Sequence, residues 1–221
     1  MIKDIEDSLF ISDLHSERGY NPSVHSLLIQ KEGSRRIYFL GDTRMYPDYY
    51  ADIPHTPIMG NHEYRIDTVR KGLVDHILLT DEVLLIHGHN EERQAGFINR
   101  YFKDIVDFFM THYGAIKNKD TILPCSGNIV KYTKPEQDNT SMRDTEIVRL
   151  VILQKKIAKH FPKVNTIIMG HHHRQYYITI EGCDFFNCGG GFRGEHIEII
   201  GGSLYFCNFV ESKSTVSERW L

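Results

Sequence analysis

Short apolar runs separated by polar or glycine-containing turns recur along the chain, and such runs are typical of buried β-strands. Two of them, 77–80 and 83–86, are separated only by Asp81 and Glu82, which predicts a hairpin. The run at 57–59 is the weakest. The runs after residue 175 are joined by glycine turns and predict a second sheet. The predicted strands are 8–12, 37–40, 57–59, 77–80, 83–86, 166–169, 176–180, 184–187, 196–200 and 203–209.

Helical spacing of apolar residues appears in three places. Residues 22–31 predict a short helix with a proline near its start, and residues 92–114 predict a second helix. Residues 144–161 predict a third, which Pro162 ends. Between the last two lies a polar segment, 115–143, whose length is typical of either a functional cap or a mobile connection.

Together these elements predict an α/β fold in which a two-sheet sandwich is flanked by helices. Its length of 221 residues fits one domain, 1–221, with an insertion at about 92–162 as a candidate cap. A hydrophobic content of 41% is sufficient for a full core. The net charge of −3 conceals a basic region, since residues 93–174 carry 14 Lys and Arg against 7 Asp and Glu. That surplus fits either an anionic substrate or a solvated helix face.

The start of the chain carries charges and no apolar stretch of the kind found in secretory signals. No apolar run is long enough to span a membrane. The four cysteines show no metal-ligand or redox spacing, so free thiols are expected. These observations predict a cytoplasmic protein. The cysteines are Cys125, Cys183, Cys188 and Cys207.

Candidate chemistry lies in five short islands of carboxylate, imidazole and amide residues, each after or near the end of a strand-like run. Such side chains are ligands for divalent cations such as Mn²⁺, Fe²⁺ and Zn²⁺. In an extended loop the side chains at i and i+2 point the same way, so Asp13 and His15 are expected to share an ion, with Leu14 turned to the core. The same spacing joins His171 to His173. The islands are Asp13-Leu14-His15, Gly41-Asp42, Gly60-Asn61-His62-Glu63, His87-Gly88-His89 and Gly170-His171-His172-His173.

In order and spacing the islands resemble the motifs of the calcineurin-like metallophosphoesterase superfamily: D-x-H, G-D, G-N-H-[D/E], H and G-H-x-H. The resemblance extends from about residue 9 to about residue 187. It implies a metallophosphoesterase-like sandwich with a dinuclear metal centre, with manganese as the expected metal and iron or zinc as alternatives. It also implies that Asp13, His15 and His173 bind the first ion, that Asn61, His87 and His171 bind the second, and that Asp42 bridges the two.

The same resemblance gives His62 a catalytic role facing the substrate, where it stabilises a phosphoryl oxygen or protonates the leaving group. Glu63 is then expected to orient the His62 ring. Arg44, His89 and Arg174 border the ligand loops. Each fits either a contact to substrate phosphate or a solvated edge.

The expected activity is hydrolysis of a phosphate ester by metal-activated hydroxide, with a nucleotide or nucleic-acid phosphodiester as the first candidate substrate. A phosphomonoester is the second. The helical insertion also resembles that of UDP-diacylglucosamine pyrophosphohydrolases, although those enzymes generally carry Arg where this chain has His62. Met45 departs from the Asp or Asn that many members place after the second motif. A non-catalytic scaffold with this fold is the alternative from another functional class.

Overall fold

The computed structural model describes residues 2–16, 20–43, 49–63, 73–89, 130–131 and 144–208. Within these ranges the chain forms two β-sheets and two α-helices. The strands are β1 Ser8–Ile11, β2 Arg36–Leu40, β3 Thr56–Ile58, β4 His76–Thr80, β5 Val83–Ile86, β6 Val130–Lys131, β7 Thr166–Met169, β8 Gln175–Ile180, β9 Cys183–Cys188, β10 Glu195–Ile200 and β11 Ser203–Asn208. The helices are α1 Pro22–Lys31 and α2 Asp144–His160.

The two sheets have the strand orders β3-β2-β1-β10-β11-β6 and β4-β5-β7-β9-β8. In the first sheet β1, β2 and β3 run parallel, and in the second β5, β7 and β9 run parallel. The predicted hairpin is confirmed, because β4 and β5 pair antiparallel. The predicted two-sheet α/β sandwich is confirmed as well.

Apolar residues form three layers, one between the sheets and one under each helix. Successive side chains of β1 point into two different layers. Phe10 packs between the sheets, and Leu9 packs with α1. On the other side of the molecule, Leu150 and Val151 of α2 pack with Phe185 of the second sheet. Each helix therefore covers the outer face of one sheet, and the inner faces of the two sheets pack against each other.

The prediction that the last four strands form one sheet is wrong. Strands β8 and β9 join the second sheet, whereas β10 and β11 join the first. The chain changes sheet at a glycine-rich turn that contains the 3₁₀ helix Gly191–Arg193. The amide of Gln175 in β8 donates to the carbonyls of His196 and Cys207, which ties the two sheets together there. Alternation predicts strands but does not identify their partners.

Both described helices match their predictions. Helix α1 begins after Asn21, whose side-chain oxygen accepts hydrogen bonds from the backbone of Ser23 and Val24. Helix α2 ends at His160, two residues before Pro162. The predicted helix at 92–114 lies outside the described residues.

Part of the polar segment 115–143 belongs to a sheet. Its residues Val130 and Lys131 form β6, which pairs antiparallel with Tyr205 and Phe206 of β11. The remainder of that segment up to residue 143 lies outside the described residues.

Three of the four cysteines lie in the described residues, and all three are buried free thiols, as expected. They are Cys183, Cys188 and Cys207. Cys125 lies outside the described residues. Among the described helices, none has the length and apolar character needed to cross a membrane.

Candidate metal centre

The candidate ligands lie on loops that follow parallel strands. Asp13 follows β1, Asp42 follows β2 and His87 follows β5. Asn61 lies three residues after β3, and the loop with the three adjacent histidines follows β7. Because the carboxyl ends of parallel strands meet at one edge of a sheet, all five loops come together at the same edge of the sandwich.

Most of these ligands adopt a left-handed backbone, which costs about 1–3 kcal/mol for each non-glycine residue. Of the six non-glycine residues with positive φ in the described part of the chain, five are candidate ligands. The expectation of an extended loop is therefore wrong, although Leu14 does turn to the core. The six are Asp13 (φ 55°), His15 (46°), Asp42 (52°), His171 (76°), His173 (52°) and Glu181 (48°).

Backbone hydrogen bonds between the loops help to offset this cost. The Asp13 N–H donates to the carbonyl of Gly41 at 3.0 Å, and the His15 N–H donates to the carbonyl of Asp42 at 3.0 Å. Two glycines allow the loops to approach this closely. A Cβ on Gly60 would lie 2.1 Å from Asp42 Oδ1, and one on Gly170 would lie 1.8 Å from the hydroxyl of Ser12.

Asp13, His15 and His173 bring three donor atoms together. Asp13 Oδ1 lies 3.1 Å from His173 Nε2 and 3.7 Å from His15 Nε2, and the two ring nitrogens lie 3.0 Å apart. Donors bound to one ion at about 2.1 Å, at angles of about 90–120°, lie about 3.0–3.6 Å apart. The observed separations therefore fit a metal ion, and these three residues could hold one.

Asp42, Asn61 and His87 form a neighbouring group. His87 Nε2 lies 3.5 Å from Asp42 Oδ2 and 3.2 Å from Asn61 Oδ1. The His171 ring lies 5.0 Å from that of His87, centroid to centroid. One further set of converging donors contains Asp42 together with Asp13 of the first group and His87 of the second. Asp42 therefore occupies the position between the two groups.

A backbone hydrogen bond fixes the orientation of the His87 ring. Its Nδ1–H donates to the carbonyl of Leu40 at 2.7 Å, which leaves Nε2 directed toward Asp42 and Asn61. The hydroxyl of Ser12 donates to the same carbonyl at 2.9 Å. A ligating imidazole commonly has this arrangement, with one nitrogen on the metal and the other on a backbone carbonyl.

The electrostatics of the group favour a cation. Burial opposes ionisation of Asp42, but its interactions with His87 and the backbone N–H of His62 outweigh that effect and hold its pKa well below the usual range. For Asp13, burial is likewise outweighed, chiefly by His173, and the pKa is lowered. Burial alone would lower the pKa of His87, but Asp42 and Asp13 raise it to about 9. Two buried carboxylates thus favour a positive charge on the His87 ring.

His62 borders the group with a side chain that is 28% exposed. Its Nε2 lies 3.8 Å from Asp42 Oδ2, and its ring meets the His15 ring edge-on at 4.8 Å between centroids. Its backbone N–H donates to Asp42 Oδ1 at 2.8 Å. The His172 ring instead contacts β8, where its Nδ1 lies 2.7 Å from the Tyr176 hydroxyl.

Glu63 occupies a position that the sequence did not suggest. Its carboxylate is fully buried and accepts backbone hydrogen bonds from Asp42, Thr43 and Gly60 at 2.6–2.9 Å. These contacts place it beneath the Asp42 loop. Its expected role in orienting the His62 ring remains a prediction.

The three candidate substrate residues have different surroundings. His89 is buried, with its ring 5.4 Å from that of His87 between centroids. Arg174 forms an ion pair with Glu146 of α2 at 2.6 Å. Arg44 lies outside the described residues. Their contacts to substrate remain predictions.

Several supporting residues were missed by sequence reasoning. Asn187 donates to the carbonyl of Gly170, and Arg193 donates to the carbonyl of His173. The ring of Phe192 lies 5.7 Å from that of His173, between centroids. The glycine run at 189–191 is the sequence signal that could have drawn attention to this turn.

A second buried cluster, formed by His196, Glu198 and Cys207, also brings ligand-type atoms together. Here Glu198 already pairs with Lys31 at 3.1 Å and with Arg35 at 2.7 Å. Two cations thus compensate its single carboxylate. The chemistry of this cluster does not favour an added metal ion.

No family model and no curated protein matches the sequence. The structure is similar to that of a Thermotoga maritima protein solved by solution NMR, with a TM-score of 0.51 and 16% identity over 93% of this chain and 99% of that chain. Vacuolar protein sorting 29 from Cryptosporidium parvum gives a TM-score of 0.49 at 13% identity over 95% of each chain. A predicted phosphoesterase from Streptococcus pneumoniae gives 0.43 at 13% identity over 88% of this chain and 83% of that chain.

At these identities the similarity concerns the fold. The sandwich of two mixed sheets agrees with it. The comparison with the Thermotoga maritima protein supports the two-sheet α/β sandwich as the fold of this chain.

Proposed function

We propose that this chain is a metal-dependent phosphoesterase whose centre holds two divalent ions, manganese first among the candidates and iron or zinc as alternatives. The observation that carries the proposal is the convergence of two donor groups on either side of Asp42. Asp13 and Asp42 are fully or nearly fully buried, and the donor–donor distances measured within the two groups are 3.0–3.7 Å. Seven ligand positions exceed what one tetrahedral structural ion uses.

Two bound divalent ions would supply a nucleophile at neutral pH and would stabilise the charge that grows on the phosphoryl oxygens. Asp13 and Asp42 return only two negative charges, so the loaded site remains cationic and attracts a phosphate ester. The carboxylates therefore both hold the metals and set the sign of the site.

His62 is the candidate acid at the edge of this site. It is the partly exposed imidazole beside Asp42, so it is accessible to an incoming ester. The hydrogen bond from its own backbone to Asp42 fixes its distance from the bridging position. We assign it proton donation to the leaving group.

The substrate proposed is a phosphodiester of a nucleotide or nucleic acid, with a phosphomonoester or a pyrophosphate-linked lipid precursor as alternatives. The basic surplus at 93–174 supports a polyanion, because Lys and Arg side chains neutralise successive phosphates. Most of that region lies outside the described residues. The support for a polyanion is therefore the excess of positive charge in this region and not the placement of its side chains.

The test is hydrolysis by the full chain with Mn²⁺, using bis-p-nitrophenyl phosphate, p-nitrophenyl phosphate, cyclic nucleotides and single-stranded DNA. The proposal expects turnover that a chelator abolishes and that the Asp42→Ala variant lacks. Preference for the diester over the monoester would support the assigned substrate class. If the metal-loaded protein hydrolyses none of these compounds, the proposal fails and the non-catalytic scaffold is favoured.

A further inference from the structure

Glu63 is a buried carboxylate that joins two ligand loops. Its Oε2 accepts hydrogen bonds from the backbone N–H groups of Asp42 at 2.8 Å and Gly60 at 2.9 Å. Its Oε1 accepts one from Thr43 at 2.6 Å. The side chain is 0% exposed. One side chain thus satisfies three backbone donors from two loops that are distant in sequence.

The chemistry of this junction requires a carboxylate. Three N–H donors converge on two oxygens, and hydrogen bonds to an ionised acceptor are about twice as strong as neutral ones. A carboxamide of the same shape offers one oxygen and turns an NH₂ group toward the remaining donors. The junction also holds Asp42 in its left-handed conformation, at φ 52°.

The group formed by Asp13, His15 and His173 is supported from elsewhere. The N–H groups of Gly191 and Phe192 donate to the carbonyls of Ser12 and Asp13 at 2.7 and 3.1 Å. Arg193 donates to the carbonyl of His173 and pairs with Glu195 at 2.7 Å. These supports come from the turn between β9 and β10, an element separate from the loop that carries Glu63.

We propose that Glu63 is the positioning residue for one half of the centre, the half formed by Asp42, Asn61 and His87. It acts through the backbone of Asp42 and of Gly60, the neighbour of Asn61. Asn61 belongs to that half alone whereas Asp42 lies between both halves, so the loss of Glu63 weakens this metal position more than the other. The inference rests on the proposed function only in requiring that the chain bind divalent metal.

The experiment is a Mn²⁺ titration of the metal-free full chain by calorimetry, with elemental analysis after gel filtration. The Glu63→Gln variant is expected to bind one equivalent with nearly wild-type affinity and the second about 10–100-fold more weakly, the usual effect of losing a group that orients a ligand. Glu198→Gln is the matched control, since Glu198 is also buried but pairs with Lys31 and Arg35 instead of the ligand loops. It should lower thermal stability and leave both equivalents intact.

Arg193→Ala is the reciprocal variant, expected to weaken most the equivalent that Glu63→Gln affects least. In the doubly substituted protein both equivalents should be weakened. A Glu63→Gln protein that binds two tight equivalents, or that loses both together, overturns the assignment. A wild-type chain that binds no divalent metal instead removes the proposed function, so the two failures are distinct.

A measurement on the wild type covers the case in which Glu63→Gln does not fold. In the metal-free protein, the amide protons of Asp42, Thr43 and Gly60 should exchange slowly with solvent, with protection on the order of 10³-fold or more over an open loop. Their slow exchange would show that Glu63 orders the loops before any metal arrives. Exchange at open-loop rates would contradict the positioning role.

Discussion

Asp42 is the residue whose loss should matter most, because donors on both sides of it converge on its carboxylate. Asp42→Ala removes a ligand from both groups together with the negative charge between them. We expect loss of bound metal and of nearly all turnover. Elemental analysis of the purified variant is the measurement, with His172→Ala as a control in the same set of loops. Two equivalents of metal persisting in Asp42→Ala would refute the bridging role.

For His62 the expectation is different, since it is assigned to the substrate and not to the metals. His62→Ala should retain metal while kcat falls by about 10²–10⁴, the usual range for a lost acid–base group. The loss should be larger for poor leaving groups than for p-nitrophenol, which needs no proton. His62 Nε2 lies 3.8 Å from Asp42 Oδ2, so loss of metal in the variant would instead make His62 a ligand.

His87 predicts a pH dependence in the metal-free protein. Although burial favours the neutral ring, Asp42 and Asp13 raise the pKa from 6.5 to about 9. A raised folded-state pKa adds stability that is fully present below pH 6.5 and is lost as pH rises through about 9. Thermal melts in chelator should therefore fall from pH 6.5 to pH 9, and fall less in His87→Gln. Equal slopes in both proteins would argue against a charged His87.

At the scale of elements, Asn21 links helix α1 to the site. Its Oδ1 caps the helix, and its Nδ2 donates to the carbonyl of Phe192 at 3.0 Å. Asn21→Ala removes both interactions and should cost about 1–2 kcal/mol in the free energy of unfolding. Asn21→Asp keeps the cap and loses only the donor to Phe192.

Denaturant melts of the two variants, with and without Mn²⁺, separate these contributions. Asn21→Asp should stay near the wild type in the metal-free protein but should bind metal more weakly, because the turn at Phe192 supports Asp13. Identical metal affinity in all three proteins would show that α1 and the site are independent.

At the scale of the whole molecule, bound metal should hold the two sheets together and stabilise the folded state. Asp13, Asp42 and Asn61 follow strands of one sheet, while His87 and the histidine loop after β7 follow strands of the other. A ligand at 100 times its Kd stabilises the folded state by about 2.7 kcal/mol. In a domain of this size that raises Tm by about 5–10 °C.

Differential scanning calorimetry with Mn²⁺ and with chelator is the measurement, and Asp42→Ala is the control in which the shift should vanish. An unchanged Tm in the wild type would mean that the loops at the sheet edge do not bind metal tightly.

Much of the fold could be predicted from the local pattern of apolar and polar residues. Alternation and apolar runs gave the strands to within one or two residues, and Pro162 marked the end of α2. The division of the last four strands between two sheets was not predictable, because the alternating faces of β8 and β10 look alike along the chain. Strand β6 was not predicted, because it is two residues long and lies within a polar segment.

By itself the sequence determined which side chains are candidate ligands, because ligand type and spacing are local properties of the chain. Only the tertiary structure decided how those side chains are held. The left-handed backbone of Asp13 and Asp42 is stable only when another loop supplies hydrogen bonds, and those partners are distant in sequence. Glu63 shows the same dependence, since a buried carboxylate acquires its role from the three N–H groups that surround it.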